Sequence, residues 1–231
     1  MTPMLSPHFT ILPSAQRRLW PDLRSAPRLG FTLYGGTAIA LRLGHRHSVD
    51  FDFFSDKALD REAIKNAFPF MTRALTLQDH ANTWEVLIPS GPSEEQETVK
   101  VSFFGTIAFG RVGTPDLTED GVLLVASFED LMATKLKVIL QRAESKDYRD
   151  IAAMLQAGVS LSRGLAAARL LFGSHFQPGE SLRALVYLQD GDLPTLPAAD
   201  KAILIDAVSK VRELPKVIRR SQQLGVEMAP Q

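Results

Sequence analysis

Between Phe31 and Phe54 the chain changes its hydrophobic rhythm twice. Phe31–Tyr34 is a short apolar run that stops at Gly35 and Gly36, and Thr37–Leu43 is rich in Ala and Leu. Gly44–Ser48 is polar, and Val49–Phe54 then alternates, with Asp50 and Asp52 set against Val49, Phe51 and Phe53. A period of two marks a strand, and a short apolar run bounded by glycine reads the same way. The stretch therefore predicts strand, glycine turn, short helix, loop, strand. Side chains two apart on a strand share a face, so Asp50 and Asp52 are expected side by side, with Val49, Phe51 and Phe53 packed on the other face.

Around this centre the pattern is simpler. Residues 1–13 carry three prolines and read as an extended lead-in. Ser14 to Arg24 predicts a helix capped by Ser14 and interrupted at Pro21, and Asp60–Phe70 a second, with Asp60 at the cap. ALTLQ, TWEVLIP and VKVSFF within residues 74–104 read as strands, the last two joined by the polar loop PSGPSEEQET, and Leu123–Ala126 as a short one. At Ser127 the character changes. SFEDLMATKLKVILQRA opens on a capping box of Ser127 and Asp130 and carries Leu131, Leu136, Ile139 and Leu140 at helical spacing. Further helices are expected at Lys146–Gln156, Ser160–Phe172, Glu180–Leu188 and Ala198–Leu214. Lys210, Arg212, Lys216, Arg219 and Arg220 would form a basic C-terminal helix. The division is thus an α+β part, 1–126, and a helical part, 127–231.

Composition narrows the class. A chain of 231 residues with 45% hydrophobic and 23% charged residues has the makings of a globular protein with a sizeable core. No apolar run is long enough for a membrane span, and Met1–Trp20 lacks the basic start and apolar run of a secretory signal. With no cysteine, disulfides and thiolate metal sites are excluded, and a cytoplasmic location is expected. The formal net charge is zero, so a nucleic-acid partner would need a local basic face.

The chemistry gathers in the central stretch. Two carboxylates held side by side repel each other, and an apolar strand that keeps them needs something for them to hold. A hard divalent cation, Mg²⁺ or Mn²⁺, suits them, since it takes oxygen ligands from one or two carboxylates and from substrate phosphates. Gly35 and Gly36 at a helix start offer free N–H groups to phosphate, and Thr37 adds a hydroxyl. A phosphate cradle followed by a carboxylate pair is the equipment of metal-assisted phosphoryl or nucleotidyl transfer. A second group lies in DLMATKLKVILQRAESKDYRDIAAML, where Asp147 and Asp150, three apart, share a helix face. Read without other context, its charges describe an exposed helix laced with ion pairs such as Lys146–Asp150. His45 and His47 have no third ligand at zinc-site spacing.

The order G-G-T, spacer, D-F-D-F resembles the hallmark of nucleotidyltransferases with a polymerase-β-like core. The longer string YGGTAIALRLGHRHSVDFDFF resembles more closely the AbiEii/AbiGii-type toxins. The resemblance implies a mixed sheet with flanking helices followed by a helical C-terminal region, with the active site in the cleft between them. It implies Asp50 and Asp52 as metal ligands and catalytic residues, and Gly35, Gly36, Thr37, Arg46 and Ser48 around the nucleotide. Lys135 matches the family lysine that serves the triphosphate, and is preferred to Lys137. Asp147, with Asp150 second, matches the later catalytic aspartate.

The implied activity is transfer of an NMP from an NTP, chiefly to the 3′ end of tRNA, by a toxin restrained by a cognate antitoxin. A protein acceptor, or a catalytically weak nucleotide-binding module, is the alternative. One departure bears on that choice. Such enzymes commonly have a third carboxylate on a later strand, and the matching position here is Ser102; Asp147 or Asp150 would supply the missing carboxylate, with Glu85 a distant third candidate.

Overall fold

The computed structural model describes residues 4–90 and 97–226; residues 91–96, most of the expected polar loop, lie outside them. The chain forms two compact units. One takes the described residues 4–110, 114–126 and 221–226, and the other takes residues 111–113 and 127–220.

The first unit is a mixed sheet of eight strands: β1 (Met4–Leu5), β2 (Thr32–Tyr34), β3 (Asp50–Phe54), β4 (Leu75–His80), β5 (Thr83–Ser90), β6 (Glu97–Phe104), β7 (Asp116–Thr118) and β8 (Leu124–Val125), in the spatial order β1-β7-β8-β2-β3-β6-β5-β4. β2 and β3 are antiparallel, whereas β3 and β6 run parallel. A parallel pair cannot be joined by a hairpin. The crossover is supplied by α3 (Arg61–Ala67), β4 and β5. Asp60 caps α3, accepting from the Ala63 amide at 2.9 Å.

One face of the sheet makes the core. Phe51, Phe53, Val101 and Phe103 are fully buried, with Trp84, Val86 and Ile88 of β5 beside them. Phe53 stacks on Phe103 at 5.7 Å, and Phe31 and Phe68 close around Phe103. Each such side chain contributes about 1.5–3 kcal/mol on leaving water. Val49 does not join them. It lies just outside β3 and is 53% exposed, its carbonyl instead accepting from the Gln16 amide at 2.6 Å.

Local chemistry explains the element ends. Helix α1 (Ser14–Leu19) begins at Ser14 with Pro13 as its cap residue, so Ser14 is the first helical residue and its hydroxyl bonds Glu97. Pro21 turns the continuation into a 3-10 stretch, Trp20–Ser25. Helix α2 (Gly35–Leu43) starts on the glycines themselves, so both belong to its first turn. It stops at Gly44, whose φ of 67° is the left-handed cap. Arg42 anchors α2 to the sheet by donating to the Val125 and Ala126 carbonyls and pairing with Asp116 at 2.6 Å.

The second unit is helical: α4 (Phe128–Val138), α5 (Ser145–Gln156), α6 (Leu161–Phe172), α7 (Pro178–Val186) and α8 (Ala198–Lys210). Ser127 caps α4 and also donates to Asp130 at 2.6 Å. Asp130 in turn accepts from the Val112 and Gly113 amides, which is what holds residues 111–113 to this unit. Gly164 lets α6 lie close against α4, since a Cβ there would stand 2.3 Å from Met132 Cγ.

Two helices are shorter than their patterns suggest. α4 ends at Val138, and the turn after it brings α5 back against α4. α8 ends at Lys210, because Val211 turns extended and Pro215 biases Leu214 away from helix. The basic residues Arg212, Lys216, Arg219 and Arg220 therefore lie on an irregular segment and share no helix face. Among the described residues no helix is long and apolar enough to cross a membrane.

Candidate active site

In the sheet unit the glycines and the carboxylates meet. β2 runs into α2 at Gly35, whose φ is +74°, a conformation that suits glycine. A Cβ on Gly35 would stand 2.5 Å from Asp52 Oδ2, so the missing side chain is what lets Asp52 sit against the helix start. Asp50 and Asp52 alternate with buried Phe51 and Phe53 and are themselves half-buried. They share one face of β3. The N-cap residue of α2, Tyr34, supplies no side-chain cap, and the amides of a helix's first turn suit an anion.

Thr37 and Ser48 lie behind this arrangement. Thr37 is 2% and Ser48 7% exposed. The Thr37 hydroxyl donates to the Asp50 carbonyl and lies 2.7 Å from Ser48 Oγ. A hydroxyl has one proton, so the Thr37 proton is committed to Asp50 and Ser48 must donate to Thr37. Both residues, expected beside the nucleotide, form a clasp that fixes the backbone at Asp50. Arg46 lies on the loop between α2 and β3 and donates to the His47 carbonyl at 2.9 Å, while His47 Nδ1 lies 3.2 Å from the Ile11 carbonyl.

The strands beside β3 set other polar residues in register with its carboxylates. On β6, Lys100 stands in register with Asp50 and Ser102 with Asp52. On β5, Glu85 is in register with Ser102. Asp52, Ser102 and Glu85 thus form one row across three strands. Glu85 pairs with Lys100 at 3.1 Å, and Ser102 Oγ is fully buried with no hydrogen-bond partner among the described residues. Among those residues no three carboxylates or histidines converge.

The helical unit holds the second group. Lys135 of α4 is 6% exposed and pairs with Asp147 at 2.5 Å and Asp150 at 2.7 Å, both fully buried on α5. Arg142 adds bonds of 2.8 and 3.3 Å to Asp147. Burial alone would raise the Asp147 carboxyl, but Lys135 and Arg142 outweigh it and hold the group below the usual range. Each oxygen of Asp147 already faces a cation, so this carboxylate suits fixing Lys135 and Arg142 better than accepting a proton. The expected Lys146–Asp150 pair does not form: Lys146 pairs with Glu144 at 2.8 Å. Lys137 donates to the His175 carbonyl, a structural tie that sets it apart from Lys135.

Sequence reading missed the Asp130 anchor and the Arg42 clamp, because their partners are distant in the chain. The capping-box spacing was the one signal that pointed to Asp130.

Comparison with known proteins follows the same lines. The family model described as nucleotidyl transferase AbiEii toxin, type IV TA system, matches residues 18–216. An uncharacterized protein of Aquifex aeolicus, aq_aa25, is 31% identical over 123 residues, covering 52% of this chain and 55% of the relative. The chain thus spans about half the length of that curated relative. In fold it is similar to JHP933 from Helicobacter pylori, with a TM-score of 0.56 at 19% identity over 84% of this chain and 88% of that one. It is also similar to MenT4, a nucleotidyltransferase toxin from Mycobacterium tuberculosis H37Rv, with a TM-score of 0.52 at 13% identity over 83% and 82%. At these identities the structural likeness speaks for the fold alone.

Proposed function

The chain belongs to the AbiEii nucleotidyl transferase toxin family, and from that membership we propose that it moves a nucleoside monophosphate from a nucleoside triphosphate to the 3′ end of tRNA. We propose further that Mg²⁺ serves the reaction in the cytoplasm and that a cognate antitoxin restrains the protein. The observation that carries the reading is the half-buried Asp50 and Asp52 beside a helix start whose glycine makes room for one of them.

The donor set suits a hard cation: two carboxylates on one face, and beside them the buried Ser102 hydroxyl, without a partner among the described residues. Two carboxylates suffice for Mg²⁺, which fills its shell with water and substrate phosphates. Asp50 and Asp52 would hold the ion, which when bound neutralises phosphate charge and polarises the phosphoryl oxygens.

The chain's own groups do the rest. The amides of Gly35 and Gly36 receive phosphate oxygens at the start of α2, and Arg46 adds positive charge. Thr37 and Ser48 keep the Asp50 backbone in place. Lys135, which matches the family lysine that serves the triphosphate, is held by Asp147 and Asp150. The acceptor hydroxyl oxygen bonds to the α-phosphorus and its proton passes to water, as the bond from that phosphorus to the α,β-bridging oxygen breaks and pyrophosphate leaves with the electron pair.

The test is transfer itself. Purified protein is incubated with Mg²⁺, total tRNA and each labelled nucleoside triphosphate, beside an Asp52→Ala control. Label in RNA with the wild type alone is expected. Label in co-incubated protein would move the acceptor to a protein hydroxyl. A second reading, a nucleotide-binding module without efficient chemistry, rests on Ser102 standing in register with Asp52. It predicts binding without transfer.

A further inference from the structure

The carboxylate face carries a second feature that transfer chemistry leaves unused. Phe54 lies two residues beyond Asp52 on the same face of β3, roughly 6.6 Å along the strand. Phe104 lies two beyond Ser102 and in register with Phe54. Tyr34, in register with Asp52, stacks on Phe54 at 4.8 Å and 13°. Phe104 meets Phe54 edge-on at 5.1 Å, and Phe109 reaches Phe54 at 6.5 Å and Tyr34 at 6.3 Å. Phe54, Phe104 and Phe109 remain half-buried, whereas Phe51, Phe53 and Phe103 on the opposite face are fully buried.

The segment that carries Phe109 is held firmly. The Thr106 amide donates to the Lys57 carbonyl at 2.8 Å and the Ile107 amide to Ser55 at 3.0 Å. Gly105 has no room for a Cβ, which would stand 2.8 Å from the Lys57 carbonyl oxygen. Thr106 has a φ of 55°, the one non-glycine residue with positive φ among those described. Such strain persists only where its surroundings over-determine it, and it clusters at ligand sites.

Along this face the helix start abuts Asp52, with Asp50 on one side of it and the rings on the other, so a triphosphate held at the helix start and the carboxylates has the rings within reach of its base. We propose that Phe54, Phe104 and Phe109 form the platform on which the nucleobase of the triphosphate stacks. Every base has an aromatic face, so such a platform binds nucleotides without reading hydrogen bonds. The inference rests on the nucleotidyltransferase reading and names what holds the base.

The experiment compares two ligands by titration calorimetry in Mg²⁺: a nucleoside triphosphate, and inorganic tripolyphosphate, which has the charge and no base. The proteins are the wild type, Asp52→Ala, Phe104→Leu, Phe109→Leu and Phe104→Tyr, each checked by its melting curve. Both Leu variants are expected to weaken nucleotide binding about tenfold, within the range for lost base stacking. They should leave tripolyphosphate binding unchanged, and Phe104→Tyr should restore the nucleotide. If Phe104→Leu fails to fold, Phe109→Leu carries the test.

Equal wild-type affinity for the two ligands overturns the platform and leaves the phosphate and metal reading standing. Equal weakening of both ligands in the Leu variants also overturns it. If neither ligand binds the wild type, or if Asp52→Ala binds both as well as the wild type does, the parent reading fails as well.

Discussion

At the scale of single residues, Gly35 and Lys135 make the most exposed claims. Gly35→Ala places a methyl group 2.5 Å from an Asp52 oxygen on a backbone with φ of +74°. The left-handed conformation alone costs about 1–2 kcal/mol for an L-residue. Transfer is expected to fall more than stability does, which labelled-nucleotide assays beside melting curves will check. Lys135→Met leaves two fully buried carboxylates without their shared cation. Breaking a buried pair costs about 3–5 kcal/mol, measurable by urea unfolding at neutral pH.

The same cluster sets an acid limit. The folded pKa of Asp147 is depressed, so its contribution is fully present above the unfolded Asp value of about 3.9 and is lost as pH falls through the lower folded value. Asp130 works the other way. Burial, the largest influence on it, raises its carboxyl despite bonds from Ser127, Val112 and Gly113. Its ionisation therefore weakens the fold above the raised value, and acidification relieves that cost. Urea midpoints followed from pH 6 to 3 should fall more steeply at the acid end in Asp130→Asn than in the wild type.

At the scale of elements, the close approach of α6 to α4 is the sharpest test. Gly164→Ala would push a Cβ to 2.3 Å from Met132 Cγ, and overpacking of this kind costs about 1–3 kcal/mol. Urea midpoints of Gly164→Ala, alone and with Met132→Ala to free the space, will show whether the second change restores what the first removes. The Asp50–Phe54 strand and the helices from α3 to α7 were legible in the sequence, because period and capping are local signals. β1 and β7 were not, since strands of two or three residues carry no period and exist through their pairing, β1 with β7 and β7 with β8. The pairing of Lys135 with Asp147 and Asp150 was also hidden. Spacing placed both aspartates on one helix face, but only tertiary packing turned that face inward. The family resemblance marked Ser102 as the odd residue of its strand; its neighbours required the register.

At the scale of the molecule, stability should report the ligand. A nucleoside triphosphate with Mg²⁺ at 100 times its dissociation constant adds about 2.7 kcal/mol to a protein that binds it only when folded. Asp50→Ala and Asp52→Ala are expected to abolish most of the resulting rise in melting temperature. Removing Mg²⁺ with a chelator should do the same to the wild type.

The return of residues 221–226 to the sheet unit has its own consequence. Leu224 is fully buried there, and its amide donates to Asp56 at 3.1 Å. Both carboxylates are translated early, yet the ribosome must make residues 127–220 before this closing piece. At ordinary synthesis rates that interval is roughly 5 to 20 s. During it the helical unit can assemble while the sheet unit waits with an open seam. A cell making this protein thus has a built-in delay between writing the carboxylates into the nascent chain and possessing the finished unit that carries them.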